Sequence, residues 1–204
     1  MQRHISHRRI LLLLTAALTA AAAAAIAIAA ARHEEPRAFS RAVRVGDSLP
    51  SRAVRFLNPG ESRRVATFTS AAGTARGVFV NRSHDGSEIC VWDTDVASGG
   101  QGGGCNPADD FFGGHAFAMS LGYDGGPALA TVQDARIVGV VTDAVTTLDV
   151  VFADGSAKRV LITGDRGFAY NVPAGLLRKG IGPVAVIARN AAGAAIDRQV
   201  TGIG

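Results

Sequence analysis

The longest uninterrupted apolar run in the chain spans 10–31, 22 residues without a charge and with only Thr15 and Thr19 as polar side chains. An α-helix of that length crosses the hydrocarbon core of a bilayer. Arg3, Arg8 and Arg9 precede it, so the positive-inside rule keeps residues 1–9 in the cytoplasm and sends everything after Arg32 outside. Across 32–64 the apolar positions keep no period, and Pro36, Pro50 and Asn58-Pro59-Gly60 interrupt them. This predicts a stem with little regular structure. From Val65 onward the pattern becomes short alternations of apolar and polar residues punctuated by Gly, Asp and Asn, the signature of antiparallel strands.

Strands are expected at 65–69, 77–81, 88–93, 116–121, 137–141, 147–152, 158–163, 167–172, 184–189 and 195–200. The clearest hairpin sets Leu148, Val150 and Phe152 on one face, turns at Asp154-Gly155-Ser156 and returns through Val160 and Ile162. A second pairs Val184, Val186 and Ala188 with Ile196 across a turn at 190–193, and only 174–179 looks briefly helical. The expected fold is mainly β, an antiparallel sandwich-like or small-barrel extracytoplasmic domain at 65–204 behind one N-terminal apolar helix. Two sub-modules at 65–130 and 131–204 are an alternative division.

Charge changes this picture little, because the net +4 is concentrated in the targeting region and the stem. Residues 38–82 hold eight Arg against Asp47 and Glu61, whereas 83–204 hold eight basic and thirteen acidic residues. A basic stem has three places to go: solvent, anionic headgroups, or the acidic half of its own domain. The domain itself has no basic patch and few aromatic residues, which argues against nucleic-acid grooves and carbohydrate platforms. The glycines at 99–104 lack the Lys-Ser/Thr of a phosphate loop, so no nucleotide cofactor is implied.

The apolar run is longer than an ordinary signal-peptide core, which favours an uncleaved signal anchor, with cleavage near Ala31 and secretion as the alternative. Arg8-Arg9 matches a bare twin-arginine pattern, incidental in so basic a leader, and no cysteine follows the run to take a lipid. Cys90 and Cys105 are the only cysteines, with fourteen residues between them on an exported domain. They are expected to form a disulfide worth roughly 3 kcal/mol by chain entropy, closing a glycine-rich loop that would otherwise be disordered.

Candidate chemistry is sparse. Gly46-Asp47-Ser48-Leu49 spells the block that names the GDSL hydrolases, but Ser48 precedes Pro50 in the stem, and no Asp-x-x-His follows to supply a base. Asp109, Asp110 and His115 gather two carboxylates and an imidazole beside Cys105 and are the candidate metal ligands; His84, Asp93 or Asp95 would have to join them. The competing reading makes Asp109 and Asp110 turn residues beside two core phenylalanines. Asp93-Thr94-Asp95 and the Asp-Gly-Ser runs at Asp85 and Asp154 are expected in turns, because a calcium loop would need its closing Glu. Asn81-Arg82-Ser83 is a glycosylation sequon, and alternation puts Trp92 on the same face as Cys90.

Gly139-Val140-Val141, Asp143, Val145, Leu148, Asp154-Gly155, Arg159-Val160, Phe168, Tyr170, Val172-Pro173 and Ala191-Ala192-Gly193 together resemble a C-terminal module of exported actinobacterial proteins, across 139–198. In such modules a Gly-Val-x-Asp-x-Val entry precedes an Asp-Gly hairpin, an aromatic strand and a last hairpin; here Asp165-Arg166-Gly167 stands where Asn is usual. The resemblance implies a small β domain outside the cell and transfers no functional residue. The expectation is a membrane-anchored or secreted envelope protein, structural or binding in role, whose partners are the membrane and an envelope protein. The rival is an extracytoplasmic metal-dependent protein or enzyme built on Asp109, Asp110 and His115.

Overall fold

The computed structural model describes residues 36–49, 59–125 and 131–202. The predicted anchor at 10–31 lies outside them, and among the described residues no helix is long and apolar enough to cross a membrane. Eleven strands follow in order: β1 Arg63–Thr69, β2 Ala75–Arg82, β3 Glu88–Asp95, β4 Gln101–Pro107, β5 Phe117–Gly125, β6 Val132–Val141, β7 Thr147–Phe152, β8 Ala157–Val160, β9 Gly167–Asn171, β10 Pro183–Arg189 and β11 Ala195–Val200. Three short helices accompany them, α1 Arg37–Ser40, α2 Ala108–Gly114 and α3 Ala174–Leu177.

The strands form three antiparallel sheets, ordered β1-β2-β3-β4, β5-β6-β9 and β11-β10-β7-β8. None closes on itself, which removes the small barrel. Strand β5 pairs with β6, so the change of sheet falls between β4 and β5 rather than at residue 130.

The three-stranded sheet is the middle layer, because its side chains alternate between two cores. On one side Phe117, Ile137, Val141 and Phe168 pack with Leu148, Val150, Phe152, Val186 and Ile196 of the C-terminal sheet. On the other, Ala118, Val138 and Val140 pack with Val65, Val78, Val80, Ile89 and Val91 of the N-terminal sheet. Nine of the ten β6 residues are buried, as a strand covered on both faces must be.

The glycine-rich stretch after Val96, expected as a loop, is instead strand β4, with Cys90 directly opposite Cys105. At Gly103 the glycine has a steric cause. Gly103 lies opposite Trp92, and a Cβ there would stand 2.5 Å from both the indole ring and the Val91 carbonyl oxygen. The tryptophan thus supplies the cover that the glycines lack, a cross-strand compensation. The Cys90–Cys105 disulfide closes the same hairpin. Trp92 shares its outer face with Leu49, Phe79 and Cys90.

Residues 36–49, within the predicted stem, are docked on the β layers. Ala38 and Leu49 are buried, and α1 leads into a loop tied down by ion pairs to acidic residues of the domain. We refer to 36–49 as the arm.

Candidate functional site

The two carboxylates and the imidazole singled out in the sequence sit around α2 but do not converge. Asp109 and Asp110 are exposed in its first turn. His115 caps the helix by donating its amide to the Phe111 carbonyl oxygen, and its Nδ1 lies 3.2 Å from Asp197 Oδ1, on β11. Asp197 also accepts the Ala116 amide at 2.8 Å. Asp110 and His115 do share a small cleft, about 90 Å³, with Asn106, Phe111, Phe117, Ala118 and Gln199. Among the described residues, however, the sole set of three or more potential ligand atoms within 4.8 Å of one another is Glu88 with Cys90 and Cys105. The disulfide takes both of those sulfurs. Asp197 is 82 residues from His115, and no local signal could have paired them.

The other polar residues in that proposal are committed elsewhere. Asp93 and Thr94, expected in a turn, are instead buried on β3; Asp93 is 1% exposed and receives Arg76 Nε at 2.7 Å and Arg136 Nε on the same oxygen, Oδ2. Arg136 also reaches Asp134 at 3.2 Å and Asp124 at 3.0 Å. Burial alone would lower the Arg136 pKa, but Asp93 and Asp124 outweigh it, and the guanidinium is held above its ordinary value. This network crosses from β2 and β3 to β5 and β6, so it fastens the N-terminal sheet to the middle layer. Asp95 accepts the Ala97 and Ser98 amides in its turn, and His84 is exposed in the β2–β3 turn. Asn81 of the sequon is buried on β2.

Ser48 is exposed on the arm, while its neighbour Asp47 is buried and structural. Asp47 accepts the Arg41 fork at 2.7 and 2.8 Å and the Arg44 and Arg64 amides at 2.6 and 2.9 Å. Desolvation pushes this carboxyl up, yet the Arg41 hydrogen bonds and the two amides prevail and hold it well below the usual carboxylate range. Arg41 and Arg44 both reach Asp165, at 3.5 and 2.8 Å. Arg37 pairs with Asp143 at 3.2 Å.

Beside this junction lies a larger cleft of about 360 Å³, lined by Arg44, Arg64, Val65, Ala66, Thr67, Thr163, Gly164 and Asp165. No motif marks it in the sequence, because its walls come from the arm, β1 and the β8–β9 loop. Arg63-Arg64 at the first alternating residues of the domain was the one legible trace.

Comparison of the chain with family models, with curated proteins and with solved structures yields no match.

Proposed function

We propose that this chain is an exported module of a bacterial envelope, held at the membrane by residues 10–31, with a structural or binding role rather than a catalytic one. The observation that carries the proposal is the Cys90–Cys105 disulfide between adjacent strands, a bond that persists in oxidising compartments and is rare in the cytosol. The apolar segment behind three arginines supplies the route, and the resemblance across 139–198 supplies the envelope context. The binding role draws on strand order. Taking β5 to β11 as seven strands, the first, second and fifth share one sheet while the sixth and seventh extend from the third in the other. Immunoglobulin-like sandwiches share that order and often serve as recognition or spacer modules, a likeness of architecture alone.

The intact mass of the protein recovered separately from membranes and from medium, without reductant, tests this. A membrane-bound full-length species lighter than its reduced form by two hydrogens is expected. A cleaved product in the medium, beginning near Arg32, would replace the tether with secretion, and free thiols would remove the main support.

A second reading keeps the Asp110–His115 cleft as a metal site. One arrangement favours it: Asp197 fixes His115 through Nδ1, as carboxylates orient metal-bound imidazoles, leaving Nε2 for an ion. Stoichiometric zinc or manganese on the purified protein, lost in His115→Ala, would establish that reading.

A further inference from the structure

We propose that the cleft between the arm, β1 and the β8–β9 loop is a binding site for a small anion carrying a carboxylate or a phosphate. The argument begins with Arg64. Its side chain passes Gly77 and ends over Gly46, where a Cβ would lie 2.8, 3.0 and 3.0 Å from Nη2, Cζ and Nη1. Near-equal distances to these three atoms mean that the guanidinium lies flat on the Gly46 backbone. Gly46 has φ +90°, so both conformation and space reserve that position for glycine. The guanidinium is thereby held in place, yet among the described residues it has no hydrogen-bond or ion-pair partner. Every neighbouring arginine has one: Arg41 takes Asp47, and Arg44 takes Asp165. Three arginines, 41, 44 and 64, face two carboxylates, and the uncompensated charge belongs to Arg64, which lines the cleft together with the paired Arg44 and Asp165.

The second element is an open amide. The Ser70 amide bonds the Thr74 carbonyl oxygen, and Thr67 lies opposite Gly77 three pairs further along the β1–β2 ladder. Hydrogen-bonded and non-bonded pairs alternate in an antiparallel ladder, so the Thr67 amide turns away from β2 toward the outer edge of the strand. Much of the rest of that edge is occupied. The Arg64 amide donates to Asp47, and its carbonyl oxygen accepts from Arg41. The Val65 and Thr69 carbonyl oxygens accept from Thr163 and Asn171, each at 2.6 Å. So interrupted an edge does not suit strand addition, which needs an unbroken row of main-chain bonds. It suits a ligand of a few atoms that accepts from a fixed guanidinium fork, a backbone amide and the Thr67 hydroxyl, the donor set that carboxylate and phosphate oxygens satisfy.

The test is titration of the full-length chain in non-ionic detergent at low salt with inorganic phosphate and, separately, with succinate. Heat and the Thr67 amide resonance are followed together. One-site saturation is expected with at least one anion, at a Kd on the order of 1 mM, with the Thr67 resonance moving along the same curve. Arg64→Gln should weaken binding at least tenfold, and Arg64→Lys nearly as much because the fork is lost. The anion that saturates identifies the class. Absence of saturation by both, or equal binding in Arg64→Gln, overturns the proposal. Should Arg64→Gln fail to fold, Arg44→Gln serves in its place, since that side chain is exposed; weakened binding supports the site, and a Thr67 resonance that no anion moves refutes it.

Discussion

The two outer layers cover opposite faces of one middle sheet, and they are fastened by different means. The C-terminal sheet relies on bulk: its Leu148 and Phe152, with Leu177 of α3, are fully buried against Phe117 and Phe168 of the middle sheet, and Phe117 meets Phe168 edge to face with ring centroids 6.4 Å apart. The N-terminal sheet offers mostly valine and alanine to its core. It adds directional fasteners, namely the Arg76–Asp93–Arg136 network, the disulfide and the arm pinned through Asp47. Nonpolar area stabilises regardless of direction, whereas buried ion pairs are sensitive to the loss of either partner. The comparison therefore predicts two layers that respond to different perturbations.

The largest effect is expected from Phe168→Ala, about 4 kcal/mol of lost unfolding free energy in urea, because a fully buried ring would leave a cavity between two sheets. Arg136→Gln should cost about 3 kcal/mol by leaving Asp93 and Asp134 under-compensated. A double replacement with Asp93→Asn should cost less than the sum, and strict additivity would show that the network is not coupled. Replacing Cys90 and Cys105 together by Ser should cost about 3 kcal/mol, with faster amide exchange in β3 and β4 and little change in β10; uniform change across all three sheets would erase the contrast between layers. Asp47→Asn is the smallest of the series, about 2 kcal/mol at neutral pH. The Asp47 carboxyl ionises more readily in the folded chain than in the unfolded one. Its contribution is therefore complete above pH about 4 and declines as acid protonates it. The gap between wild type and Asp47→Asn should close on acidification, and a constant gap down to pH about 2 would refute the pairing.

What the sequence made legible follows the same division. Each of the ten expected strands has a counterpart, and the β7–β8 and β10–β11 hairpins lie where Asp154-Gly155 and 190–193 placed them, since period-two alternation and turn residues are local signals. Strand β4 was missed because glycines carry no hydrophobic pattern, and its cover, Trp92, belongs to the neighbouring strand. The docking of the arm was one of three open outcomes: Ala38 and Leu49, eleven residues apart, form no period, and the arm's partners Asp143 and Asp165 lie about a hundred residues away. For the same reason Asp109, Asp110 and His115 looked like one cluster, while the partner that holds His115 came from β11.

Docking of the arm also sets a distance. Five peptide steps separate Ala31 from Pro36, and a fully extended chain covers at most roughly 17 Å in that number. Were 10–31 to lie in the bilayer, as proposed, the globular body would have almost no tether and would ride against the headgroups. Whatever it met would then have to be at the membrane surface, or come to it.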